Sequence, residues 1–157
     1  MKKTSYVFVD KTCLTSRDLM ERFMKYTITI DGTHFSTIDE FFDEVDKLLT
    51  QNLSWKTGHN MDAFHDLLRG GFGVHEVGEG IDFYWIHANK SQQDFGYEAT
   101  ILYWEKIFQK CHPTNRKEIM LKIEAAKAHE GKTLFDIIID EILSKNDCYD
   151  HTLYFDN

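Results

Sequence analysis

Two stretches with different hydrophobic periods lie back to back in the first third of the chain. They narrow the fold more than any other feature. "YTITIDG", Tyr26 to Gly32, alternates with period two: Tyr26, Ile28 and Ile30 point one way, Thr27 and Thr29 the other. That is a strand pattern, ended by a turn at Asp31-Gly32. "STIDEFFDEVDKLLT" follows with helical period, placing Ile38, Phe41, Phe42, Val45, Leu48 and Leu49 on one face. Thr37 and Glu40 have capping-box spacing at its start. The opposite face carries Asp39, Glu40, Asp43, Glu44, Asp46 and Lys47 and reads as solvated surface.

The remaining elements extend the alternation of strand and helix. "QNLSWKTGHN" is a loop, with Asn60 suited to cap a helix over "MDAFHDLLR" whose buried stripe is Met61, Phe64, Leu67 and Leu68. Gly70, Gly71 and Gly73 stop it. "IDFYWIH", Ile81 to His87, is apolar at nearly every position and predicts a strand covered on both faces. Helical segments are expected over about 97–110, 115–129 and 133–145. In the last, "LFDIIIDEIL" could pass for a buried strand, but Leu134, Ile138 and Ile142 recur every four residues, which favours a helix. "HTLYFDN" sets Leu153 and Phe155 against Thr152 and Tyr154 and reads as a final strand. Residues 1–25 hold a strand pattern at Tyr6 to Val9 and a weak helical one in "SRDLMERFM". The order predicts an α/β fold: a small three-stranded, mainly parallel sheet packed with helices.

The chain's 157 residues suit a single domain, and 42% hydrophobic residues supply a packed core. A net charge of −8 disfavours nucleic acid as a partner, because phosphates need Lys and Arg. It suits a cationic partner, or plain solubility. Cys13, Cys111 and Cys148 are odd in number and widely spaced, which fits a reducing cytoplasm. No stretch approaches the ~18 apolar residues of a membrane span, so no membrane partner is expected.

Candidate sites reduce to one. Asp62 and Asp66 lie four residues apart on the helix after Gly58. Like charges at that spacing weaken an isolated helix by roughly 0.2–0.5 kcal/mol. The plain reading is a solvated acidic face; the sharper one is a surface aimed at cations. His59, His65, His75 and His87 show neither HxH nor HExxH spacing, and no cysteine lies near enough to complete a zinc set. No metal, cofactor or catalytic residue is expected; a His65–Asp62 acid–base pair would lack a nucleophile. The glycines of "RGGFGVHEVGEG" follow a helix and precede a strand, the wrong order for a phosphate loop.

"ITIDGTHFSTIDEFFDEV" and "GHNMDAFHDLLRGG" together carry a family resemblance. In the second, Gly58, Asn60, Asp62, Ala63, Asp66, Leu68 and Gly70 fit the pattern Gly-x-Asn-x-Asp-Ala-x-x-Asp-x-Leu-x-Gly. The chain resembles the barstar family, intracellular inhibitors of secreted microbial ribonucleases. The likeness is strong over residues 26–87 and loose over 133–156, leaving 1–24 as an N-terminal extension and about 88–132 as extra helical material. It implies a non-enzymatic inhibitor that plugs a ribonuclease active site with the helix and the loop before it. Asp66 would be the central phosphate-mimicking carboxylate and Asp62 the acid one turn earlier. Asn60 and Gly58 would set the loop, and Glu141 would be a second contact acid on the helix before the last strand.

The sequence also departs from that family. Lys56 and Thr57 stand where the family has aromatic residues, leaving Trp55 as the nearby ring; His59 replaces a Glu and His65 a Trp. These changes keep a rival reading open, an acidic α/β interaction module with a partner other than a ribonuclease. The expected partner is a cationic ribonuclease or nuclease toxin, with the protein guarding a producing cell or a neighbour.

Overall fold

A computed structural model describes residues 26–50, 53–144 and 150–156. The three strands are β1 (Tyr26–Asp31), β2 (Ile81–Ile86) and β3 (Thr152–Asp156). They form one sheet in the order β1-β2-β3, parallel throughout, with β2 central. The helices are α1 (Ile38–Leu49), α2 (Met61–Arg69), α3 (Ala88–Asp94), α4 (Tyr97–Lys110), α5 (Arg116–Lys127) and α6 (Leu134–Ile142). Strand, two helices, strand, helices, strand is the order that the hydrophobic periods predict. The patterns at Tyr6–Val9 and "SRDLMERFM" lie outside the described residues.

The register explains where the core sits. Ile28 pairs with Phe83 and Phe83 with Leu153; Ile30 pairs with Trp85 and Trp85 with Phe155. In a parallel sheet, paired residues share a face, so these side chains make one apolar surface. Phe41 of α1 stacks on Trp85 at 5.8 Å and meets Phe64 of α2 edge-on at 5.6 Å. Phe135 of α6 packs edge-on against Trp85 at 5.2 Å. The indole N–H of Trp85 donates to Ser91 Oγ at 3.0 Å, so its burial leaves no orphan donor. Truncating a fully buried ring such as Phe41 costs about 3–5 kcal/mol.

β2 departs from expectation on its second face. Asp82 is buried there and accepts a hydrogen bond from Thr152 Oγ1, while Tyr84 is exposed and stacks on Tyr154 at 4.8 Å. The apolar run is therefore not matched by two covered faces, because a tyrosine ring finds its partner sideways, on the next strand. The acidic side of α1 also needs correction. Glu44 and Asp46 are buried, not solvated: Glu44 pairs with His34 Nδ1 at 2.8 Å, and Asp46 takes the bonds described below. Helical periodicity sees polarity and cannot see a polar partner waiting on another segment.

The ends of α1 follow its sequence. Thr37 Oγ1 accepts from the Glu40 amide at 3.3 Å, and Glu40 Oε2 accepts from the Thr37 and Ser36 amides at 3.0 and 2.8 Å. Those amide bonds hold the Glu40 carboxyl below its ordinary pKa. Helices α4 and α5 form a hairpin beside this layer, and α6 returns the chain to the core through Leu134, Phe135, Ile138 and Ile142.

Candidate partner-binding site

The site is built on α2 and on the loop that enters it. Asn60 caps the helix: its Oδ1 accepts from the Ala63 amide at 2.8 Å. Phe64, Leu67 and Leu68 are buried, which turns the opposite face outward. Asp62 and Asp66 are both exposed on it. Among the described residues neither carboxylate has an ion-pair or hydrogen-bond partner. Asp62 also lies in the first turn, where the helix dipole favours a negative charge.

The far end of α2 is held by two side chains that sequence reasoning did not assign. His75 and His151 are buried, and the Nε2 of each donates to the carbonyl of Leu68, at 3.2 and 2.9 Å. The Nδ1 of His151 accepts from the Ile81 amide at 2.9 Å, which fixes its tautomer. One carbonyl of the last turn thus takes two ring donors and is tied to β2. The chain leaves through Gly70, at φ 85°, and Gly73, where a Cβ would come within 1.9 Å of the Leu49 carbonyl oxygen.

The loop before α2 is anchored from α1. The Thr57 amide donates to Asp46 Oδ2 at 3.0 Å, and the Thr57 hydroxyl donates to Asp46 Oδ1. Asp46 is buried, so this bond fixes the loop at low dielectric. Lys56 reaches Asp43 Oδ1 at 3.4 Å. His59 lies 3.3 Å from the same carboxylate oxygen, 3.8 Å from Asp39, and against the Phe42 ring. Lys56 and His59, two of the basic groups that depart from the family pattern, are therefore turned toward α1 acids. These contacts are exposed and are worth about 0–1 kcal/mol each. Trp55 is half exposed, and Gly58 and Asn60 are exposed as well.

His65 and Glu141 meet across α2 and α6. Nδ1 of His65 is bonded to Glu141 Oε1, with both side chains partly exposed. Glu141 thus reaches the neighbourhood of the two aspartates, but it is engaged with His65. Tyr103 of α4 completes the group. Burial pushes its phenol up to about 12, and the charges of Asp62 and Glu141 push the same way. Tyr103 was not singled out in the sequence; nothing in its local pattern separates it from the other aromatic residues of α4. The four histidines His59, His65, His75 and His87 go to four different partners, His87 to Asp31 at 3.0 Å.

The sequence model of the barstar family, described as barstar (barnase inhibitor), matches residues 25–126. The chain belongs to the barstar family. The match takes in β1, α1, α2 and β2, so it contains the whole acidic ledge and its loop. It also runs through α3 and α4 and into α5, beyond the two stretches that carry the sequence resemblance, and it stops before α6 and β3. No curated protein matches the chain. Family membership supports a barnase-inhibitor type of function in general. None of the described helices is long and apolar enough to cross a membrane.

Proposed function

We propose that this barstar-family protein inhibits a ribonuclease by seating α2 and the loop before it in the enzyme's cationic active site. The observation that carries the reading is the pair Asp62 and Asp66, exposed on one helical face with no cation to neutralise them among the described residues. A ribonuclease gathers Lys, Arg and His around the scissile phosphate. Carboxylates placed there receive charge-assisted hydrogen bonds from the groups that would bind RNA. Asp66 is the central contact and Asp62 the contact one turn earlier. Gly58, His59, Asn60 and Trp55 form the loop side of the surface, with His65 and Glu141 on the α6 side.

The mechanism is occlusion without turnover. The repulsion between Asp62 and Asp66 weakens α2 when it is alone and is relieved when partner cations arrive. The protein acts in the cytoplasm, where it shields the cell from a ribonuclease made there or delivered to it. The test is an RNA-cleavage titration against barnase and other cationic ribonucleases. Activity falling linearly to zero at one equivalent supports the reading. Full activity of every enzyme at excess inhibitor would reject it.

A further inference from the structure

Beside the acidic ledge, between α1 and α4, runs a groove of about 350 Å³. Its floor is apolar: Ile38 and Phe42 from α1, Tyr103 and Ile107 from α4. Its polar lining includes Lys106 and Lys110, with Asp39 and His59 beside them. Two residues join it to the ledge. Asn60, the cap of α2, lines one end, and Tyr103 lies where the charges of Asp62 and Glu141 act on its hydroxyl.

The charge of this surface is polar along its length. At the ledge end stand Asp62 and Asp66. Lys106, on the His59 side, is bound by both oxygens of Asp39, each at 3.1 Å, while two turns along α4 from Tyr103 stands Lys110, to which none of the described residues offers a carboxylate. An apolar trough of this size accommodates a single ring-bearing side chain, and the flanking ammonium groups favour the face of an aromatic ring. Aromatic residues inserted into pockets beside a polar rim are the usual anchors of protein interfaces.

Resting on the ribonuclease reading above, we propose that this groove is the second half of the partner surface, receiving one aromatic side chain of the ribonuclease with an acidic group next to it facing Lys110. The ledge then takes the cations of the active site, and the groove takes a neighbouring ring. The acidic ledge and Lys110, two turns of α4 beyond Tyr103, carry opposite charges and fix which way round the partner sits. Specificity among ribonucleases of similar active site would come from the groove, because the cationic centre is common to them.

The full-length protein tests this in two measurements. The first is an NMR titration with N-acetyl-tryptophan, which carries a carboxylate beside the indole, and with N-acetyl-tryptophanamide, which does not. The expected result is saturable shifts at Ile38, Phe42, Tyr103 and Ile107, with the acid preferred and that preference lost in Lys110→Glu. Absence of saturable shifts there overturns the proposal. The second measurement compares barnase inhibition by the wild type, Ile107→Asp and Asp66→Ala, each with an unchanged circular dichroism spectrum. Weakening of at least tenfold in Ile107→Asp supports the groove, and inhibition equal to wild type overturns it. Asp66→Ala reports on the ledge separately: if it inhibits fully while Ile107→Asp does not, the ledge reading fails and the groove contact stands.

Discussion

Asp31 links the ends of two strands. Its Oδ1 accepts from the amide and hydroxyl of Thr33, at 2.9 and 2.8 Å, and faces His87 Nδ1 at 3.0 Å. The Thr33 bonds, with a smaller part from His87, lower its carboxyl pKa from the ordinary 3.8 to about 2. Between those pH values the unfolded chain binds more protons than the folded one, so folding stability rises with pH there and drops as acid is added. The stabilisation is complete above about pH 4 and lost as the pH drops through 2. Asp31→Asn should therefore unfold at lower urea than wild type at pH 7, with the two midpoints converging by about pH 2; a constant gap across that range would contradict the assignment. Asp46 shows the limit of what residue types reveal. On a helical wheel it belongs with Asp39 and Asp43, and only the presence of Thr57 on a separate loop makes it a buried acceptor. By contrast Asn60, Gly70 and the Thr37–Glu40 box do in the structure what their chemistry announces in the sequence.

At the scale of elements, α1 and α2 were legible because each buries a continuous apolar stripe and is capped by a residue of the right type. α3 was not. "ANKSQQD" has no apolar period, and its buried positions are only Ala88 and Ser91. It forms where β2 must turn away from the sheet, a long-range demand that no local pattern records. The pairing of His65 with Glu141, 76 residues apart, was hidden for the same reason. The loop before α2 gives a prediction at this scale. Removing the Asp46 carboxylate leaves the Thr57 amide unpaired and releases the loop without touching the ledge charges. Asp46→Ala should cost about 1–3 kcal/mol of folding stability. It should also weaken ribonuclease binding mainly through faster dissociation, measurable by surface plasmon resonance. A slower association with unchanged dissociation would show that the loop's order is not what the bond supplies.

For the whole molecule, charge decides how partners meet. A net charge of −8 with an acidic ledge that has no partner among the described residues draws a cationic protein over about 10 Å at 0.1 M salt, and over much less at 1 M. Association with a ribonuclease should thus slow steeply as salt rises, while dissociation changes little. Rates insensitive to salt would mean that the groove and loop, rather than the ledge, guide the encounter. The parallel sheet was implied by strands separated by helices, since parallel neighbours need a crossover. The half-open second face was not implied, because an unbroken apolar run does not say what covers each side.

The central claim is that Asp66 stands in for a phosphate of bound RNA. The measurement that tests it most directly is the dissociation constant of the Asp66→Ala protein with an inhibited ribonuclease, taken beside wild type under the same salt. The loss of one charge-assisted contact predicts a weakening of about 2–3 kcal/mol, roughly 30- to 150-fold. A dissociation constant equal to wild type in a correctly folded Asp66→Ala protein would contradict the account.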